Sequence, residues 1–398
     1  MLNPNTQERE LVYSVKIDSI KPIAGKDRVE CAVVGGWTLM VPKGVFHPGD
    51  IGIYFEIDSR LPQRPEFEFL ASKNYKIKTQ KYKTPEGAFY SQGLLMAIED
   101  FPIDTFKNFD LSKEHIFLTQ ALGVTYADVK DNIRKANSVD KYLRMQQRMG
   151  KKFSKQPYKW LLKRNWGKKL LYIFYGRKAN NKKGWPTHIA AKTDVERIQN
   201  MIWVLKDKHP YVATEKIDGS SCSIMAERGR FGKIKQYVCS RNVVFEAPTQ
   251  KCYYDTNIYF EVYEKYNLKE KIVQIMNDLN LSNIALQMEV FGAGVQKRDY
   301  SIKDNEHQIR VFHIVSQGIK LPMDKVVEIC EKYDIPHVPI INDNYILPDT
   351  IEELQTFVEK EGSQIDGLPR EGIVFYDKET GQQYFKFVSP AYLTTYHN

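Results

Sequence analysis

Short apolar runs, broken at regular intervals by glycine and proline, occupy the first hundred residues and restrict what they can build. Leu11 to Ile17 alternates loosely, Arg28 to Val34 is apolar-rich and stops at Gly35-Gly36, and Trp37 to Val41 stops at Pro42. Gly44 and Pro48-Gly49-Asp50 punctuate next, and Ile51 to Ile57 is another apolar strand. Many short strands with such breaks predict a small β-barrel over residues 1–115. An OB fold, which binds nucleic acid, is one candidate among barrels of this size.

The chain has 398 residues, room for two or three domains. The start, Met1-Leu2-Asn3-Pro4-Asn5, lacks a basic-then-apolar leader, and no run of eighteen apolar residues suggests a membrane span. The five cysteines are scattered, without a Cys-x-x-Cys pair, so neither a zinc site nor a disulfide framework is expected. An intracellular, reducing compartment, cytoplasmic or nuclear, is the simplest setting.

The net charge of +9 is unevenly placed. Lys141 to Lys183 carries fifteen Lys and Arg and no acid, so the rest of the chain holds 43 basic residues against 49 acidic ones. Eight aromatics lie between Tyr142 and Tyr175 within the same stretch. Cations that pair with phosphates and rings on which bases stack suit a polyanion such as RNA, with Lys163, Arg164, Lys168 and Lys169 as candidate contacts. A solvated linker with locally packed aromatics and a helix lying on anionic lipid are the alternatives. Residues 116–183 are accordingly set apart as a basic, aromatic-rich helical linker or insert.

From residue 184 onward strands and helices mix. Thr193 to Glu196 has capping-box spacing and predicts a helix start that Arg197 to Asn200 continues. Val212 to Ile217, Ser221 to Ala226, Ile284 to Phe291, Arg310 to Val315, Gly372 to Tyr376 and Gln383 to Val388 have strand character. Thr256 to Leu279, Asp324 to Tyr333 and Asp349 to Lys360 have helix character. Sheets with flanking helices give an α+β class for residues 184–398.

Within these strands sit charges that are costly to bury unpaired. Lys216-Ile217-Asp218-Gly219 ends an apolar strand and turns into the next. Three fixed residues of Lys-x-Asp-Gly recur by chance roughly 0.1 times in a chain this long, so the motif alone is suggestive, and a surface Lys-Asp pair before a turn is the bland alternative. An attacking lysine must be neutral, which calls for a pKa below the usual value of about 10.4. Asp218, two residues on, would share the lysine's face if the strand continued. Glu289 lies in Gln287-Met288-Glu289-Val290-Phe291-Gly292, Phe312 in Arg310-Val311-Phe312-His313-Ile314, Glu371 in Arg370-Glu371-Gly372-Ile373, and Lys386 in Tyr384-Phe385-Lys386-Phe387-Val388. Together they make a consistent set, with acids for metal or ribose and cations for phosphate.

These stretches, in this order, resemble the motifs of the covalent nucleotidyltransferases, the ATP-dependent RNA and DNA ligases and the mRNA capping enzymes. The resemblance runs from Trp185 to the end, and Gly184-Trp185-Pro186 with Lys192 to Asn200 resembles the segment before the nucleophile in RNA ligases. It implies a nucleotidyltransferase domain, ATP-grasp-like, of antiparallel sheets with flanking helices. It implies Lys216 as nucleophile and Glu215 meeting adenine through its backbone. Asp218 and Glu371 would hold water bound to Mg²⁺ or Mn²⁺, and Glu289 would lie on the ribose or metal side. Phe312 would stack on adenine, Arg241 would stand near the nucleotide or RNA end, Arg197 would touch the triphosphate and Lys386 the α-phosphate, with Gly219 lining the nucleotide. Two positions depart from the pattern: Val388 stands where many relatives carry a second lysine, and His313 where they often carry aspartate.

Only twelve residues follow Lys386, which leaves no room for the C-terminal OB domain of DNA ligases and capping enzymes. A barrel placed first resembles the Deinococcus-type RNA ligases, as do Tyr13 to Ile17, Pro42-Lys43-Gly44 and Pro48-Gly49-Asp50. The expectation is a monomer that uses ATP and a divalent ion to join RNA ends. A GTP-dependent capping enzyme and a non-catalytic RNA-binding protein with the same shape are the rivals.

Overall fold

The computed structural model describes residues 1–4, 6, 8–127, 158–164, 166–167, 170–171, 184–303, 306–382 and 384–397. Much of the basic segment, including Lys168 and Lys169, lies outside the described residues.

The N-terminal body is built from β1 (Val12–Lys16), β2 (Ser19–Pro22), β3 (Val29–Val34), β4 (Trp37–Pro42), β5 (Ile51–Phe55), β6 (Ser59–Arg60), β7 (Thr79–Thr84), β8 (Gly87–Gln92), β9 (Leu94–Met96) and β10 (Thr125–Tyr126). The antiparallel sheets β1-β5-β9 and β2-β3-β4 enclose a core of Tyr13, Val15, Ile17, Val34, Trp37, Leu39, Val41, Tyr54 and Leu95. Strand β1 is buried on both faces, because Val12 points into a second core with Phe55, Phe67, Phe101, Leu118 and Leu122. The strands expected from alternation at residues 11–57 are present, within a few residues at each end.

The second body contains β11 (Glu196–Arg197), β12 (Pro210–Lys216), β13 (Ser220–Arg228), β14 (Ile234–Ser240), β15 (Val244–Phe245), β16 (Asn283–Gly292), β17 (His307–Ser316), β18 (Ile319–Lys320), β19 (Ile340–Ile346), β20 (Gly372–Asp377) and β21 (Tyr384–Val388). One sheet has the order β11-β21-β20-β12-β19 and the other β15-β14-β13-β16-β17-β18. Helices α1 (Ile258–Lys265), α2 (Leu268–Asp278) and α3 (Met323–Lys332) pack on the six-stranded sheet, α4 (Ile351–Lys360) backs the five-stranded one, and α5 (Pro390–Tyr396) follows the last strand. The sequence-based α+β reading describes this arrangement.

Two local expectations fail. The helix expected from Thr193 is replaced by β11, which pairs in parallel with β21, Arg197 opposite Lys386, followed by a 3₁₀ turn over Ile198–Asn200. Thr193 Oγ1 lies 3.0 Å from Ser221 Oγ instead of capping a helix, so tertiary pairing on an open sheet edge outweighs a four-residue local signal. The single helix expected over 256–279 is two, α1 and α2, because Asn267 adopts φ 50° between them.

The two bodies meet through polar side chains as well as apolar ones. Glu56, fully buried, accepts from Tyr13 Oη at 2.9 Å and Arg9 Nε at 2.7 Å in its own body, meets the Met1 amine, and accepts from Asn200 Nδ2 at 3.3 Å across the joint. Asn200 Oδ1 accepts in turn from Trp37 Nε1 at 2.7 Å and Tyr13 Oη at 3.2 Å. Gly36 N donates to Gln199 O at 2.9 Å, and a Cβ there would stand 2.7 Å from Gln199 Cα, so this close approach requires glycine.

Candidate active site

The antiparallel ladders set the site residues in rows. Lys216 is the last residue of β12 and lies opposite Gly372 on β20, while Thr214, Val374 and Lys386 are aligned across β12, β20 and β21. Glu289 on β16 is opposite Ser221 on β13. Asp218 sits in the turn from β12 to β13, not on a continuing strand, because the ladder ends at Lys216. Its N–H donates to Tyr300 Oη at 2.7 Å, which fixes the turn. Gly219 is forced by proximity: a Cβ would lie 2.4 Å from Val290 O on β16.

Lys216 Nζ donates to Glu371 Oε2 at 2.6 Å. Burial pulls the ammonium's pKa down, but Glu371, Glu289 and Asp218 overcome it, and the pKa stands above the ordinary value. The expectation of a lowered pKa therefore fails for the chain alone: three carboxylates outweigh desolvation. The acids respond in kind. Glu289 is pushed up to about 8, by burial first and then by Glu371 and Asp218 against the pull of Lys216. Glu371 is also raised, by burial and by Asp218. Asp218 is lowered although burial opposes it, because His397, Lys216 and Tyr392 favour its charge. Among the described residues no three Asp, Glu, His or Cys groups converge closely enough to ligate one ion directly. Three carboxyl groups crowded around one lysine, two of them held above their ordinary pKa, fit a hydrated cation that would favour their charged forms and be held through water by Asp218, Glu289 and Glu371.

The cations lie beyond Lys216. Lys386 is pushed down to about 7, by burial and then by Arg9, Arg197 and Lys216. Buried Arg197 stands 5.6 Å over the Trp37 ring and 3.7 Å from Asp58 Oδ2, and its Nε and Nη1 have no hydrogen-bond partner among the described residues. Orphaned guanidinium donors opposite a half-neutralised lysine fit the phosphates of a nucleotide.

The remaining candidates are spread around this centre. Glu215 is buried on the other face of β12, its carboxylate accepting from Gln364 N at 2.8 Å and its own N–H donating to Pro339 O at 2.9 Å. Arg241 is half-exposed and pairs with Asp194 at 2.5 Å, and its charge reaches Glu289. Phe312 is half-buried at the β17 bulge, 5.2 Å from the His313 ring. His313 is buried edge-on to Tyr376 and Tyr384, and burial drives its pKa well below the usual value. Val388, in the place of a second lysine, packs against Ile57 and Leu393 at the joint between the bodies. Lys163 and Arg164 are exposed after the short helix Tyr158–Leu162, with Arg164 4.3 Å over the Trp160 ring. Sequence reasoning missed Tyr300, Tyr392 and His397, all of which touch Asp218. The aromatic-rich end Tyr392 to His397 was the available signal.

Comparison with known proteins places this geometry. Residues 209–388 match the RNA ligase family model, and residues 11–97 match an OB-fold domain model. No curated protein matches the chain. Among solved structures, a point mutant of the Naegleria gruberi RNA ligase with ATP and Mn is 24% identical, with a TM-score of 0.71 over 98% of this chain and 100% of that one. A second mutant of that ligase with AMP and Mn has the same identity and TM-score over 98% and 99%. The Naegleria gruberi ligase with PPi is 24% identical, with a TM-score of 0.70 over 98% and 99%. At this identity the likeness establishes the shared fold, an OB barrel ahead of a two-sheet ligase body. The chain thus carries a region that matches the RNA ligase family, residues 209–388, behind a region that matches an OB-fold domain, residues 11–97.

Proposed function

We propose that the chain is an ATP-dependent RNA ligase that joins 3′-hydroxyl and 5′-phosphate RNA ends through a covalent lysyl-AMP. The observation that carries this reading is the convergence on Lys216 Nζ of Glu371, Glu289 and Asp218, with Lys386 and Arg197 on β21 and β11 of the same sheet. The neighbours' ligands include ATP and PPi, the reactant and leaving group of lysine adenylylation, and AMP, the group the lysine would carry and the sealing step would release.

In the first step the Nζ–P bond to the α-phosphorus forms as the bond to the pyrophosphate oxygen breaks. The proton on Nζ must leave, and Glu371 Oε2 at 2.6 Å is the acceptor in reach. Lys386 and Arg197 balance charge on the phosphates. A divalent cation would supply further positive charge, lowering the amine's hold on its proton. The AMP then passes to an RNA 5′-phosphate oxygen, which restores the amine. Attack by a 3′-hydroxyl on that phosphorus expels AMP and leaves a phosphodiester. The protein's part is in-line placement and electrostatics. A monomer acting on RNA is sufficient for each step.

Incubation with ATP or GTP labelled at the α-phosphate, followed by denaturation, tests the reading. Label from ATP that Lys216→Ala abolishes is the expected result. Label from GTP alone would select a capping activity, no label a non-catalytic binder, and label retained by Lys216→Ala another nucleophile.

A further inference from the structure

Asp218 is held by residues that lie beyond the last ligase strand. Tyr392 Oη, on α5, donates to Asp218 Oδ2 at 2.9 Å, and His397 Nε2 lies 2.9 Å from the same oxygen. Two groups from one seven-residue helix and its C-cap thus converge on one oxygen of one carboxylate. The tail is itself fastened. Ser389 Oγ caps α5 by accepting from Tyr392 N at 3.1 Å, and Leu393 packs on Ile57 of the OB domain. Lys78 Nζ, just before β7 of the OB domain, donates to His397 O at 2.8 Å. Beneath the tyrosines the buried Arg298 guanidinium stands 4.2 Å from the Tyr300 ring and 5.7 Å from those of Tyr392 and Tyr396. Its partners, Asp366 and Pro369 O, belong to the loop that leads into Glu371.

We propose that Tyr392 and His397 are positioning residues that orient the Asp218 carboxylate toward a hydrated divalent cation, and that Lys78 latches this tail to the OB domain. The inference rests on the ligase reading, which gives Asp218 that task. A helix that merely covered the core would bury Pro390, Tyr392 and Leu393 without needing a hydrogen bond to Asp218. Two hydrogen-bonding groups on a single carboxylate oxygen instead remove its rotational freedom, the service that outer partners give a metal-facing carboxylate. The latch makes the geometry of Asp218 depend on the docking of the N-terminal domain, although Lys78 does not reach the reacting atoms.

The test uses the full chain in a Lys216→Met background with ATP, so that no covalent step intervenes. Bound and free Mn²⁺ are separated by electron paramagnetic resonance. His397→Ala and Tyr392→Phe are each expected to weaken Mn²⁺ binding about tenfold. His397→Gln, which keeps a donor, should restore most of it, and Lys78→Met should shift binding in the same direction by less. Melting curves identify variants that lose the fold, and Tyr392→Phe, which keeps the ring, carries the test if His397→Ala unfolds. Unchanged Mn²⁺ affinity in folded Tyr392→Phe and His397→Ala overturns the proposal. Tighter binding in His397→Ala also overturns it, since the tail would then compete with the ion. An unchanged Lys78→Met removes the latch. If a protein with Lys216 intact takes no label from ATP, the ligase reading fails as well; if it labels normally and the tail variants bind Mn²⁺ normally, only the positioning role falls.

Discussion

Replacing Asn200 by alanine should separate the two domains energetically. The side chain accepts from Trp37 Nε1 at 2.7 Å and Tyr13 Oη at 3.2 Å, and donates to Glu196 Oε1 at 2.9 Å and Glu56 Oε1 at 3.3 Å. Tyr13 keeps Glu56 as a partner, but the Trp37 indole, 1% exposed, loses its acceptor. An orphaned buried donor costs about 1–3 kcal/mol, and each of the two lost bonds to a carboxylate adds about 1 kcal/mol, giving about 3–5 kcal/mol in all. Urea unfolding followed by tryptophan fluorescence and by circular dichroism measures it. The expected result is one cooperative transition in the parent, and in the variant an earlier midpoint with two steps, the OB domain and the ligase domain parting company. A double-mutant cycle with Trp37→Phe should return a coupling of about 1 kcal/mol or more. A loss below about 0.5 kcal/mol, with coincident transitions in both proteins, would refute the claim that Asn200 ties the joint.

Three further outcomes are expected. Gly219→Ala should cost about 1–3 kcal/mol of stability through its 2.4 Å clash with Val290 O, and should slow labelling by ATP about a hundredfold by moving the Lys216–Asp218 turn; labelling at the parental rate would contradict the packing argument. Lys386, pushed down to about 7, regains its charge beside a triphosphate, so ATP binding takes up a proton and weakens as pH rises above 7, by at most about tenfold per unit. Binding isotherms for Lys216→Met between pH 6 and 9 should show this slope and lose it with Lys386→Met, and identical slopes would refute the assignment. Alanine at Lys163, Arg164, Lys168 and Lys169 should weaken RNA sealing and flatten its salt dependence while lysine labelling persists. Equal loss of both activities would point to a structural segment.

The strands that carry the candidate site were legible because burial on one or both faces writes itself into the sequence, as in Ile284–Phe291 and Gly372–Tyr376. β19 was not: its centre, Asn342-Asp343-Asn344, is exposed and polar, so the edge of the sheet has no apolar signature. The helix anticipated at Thr193 failed because β21 offered an edge that a local window cannot see. The set Lys216, Glu289, Glu371 and Lys386 was legible as charges inside apolar strands. The contacts that orient it were not, since Tyr392 and His397 reach Asp218 across more than 170 residues and have no spacing to reveal them. Nor was the Glu56 cluster, whose members are ordinary residue types brought together only by docking of the two bodies.

The five-stranded sheet has two borders, and each is blunted differently. At β19 an aspartate and two asparagines face solvent, which discourages a further strand from adding there. At β21 the border is covered by the two residues of β11, which continue into the turn that docks on the OB domain. Undocking that domain would loosen this cover and bare the backbone of the strand that carries Lys386. The barrel is thus also a guard against strand-to-strand association, and a ligase domain produced alone should self-associate through that margin more readily than the whole chain.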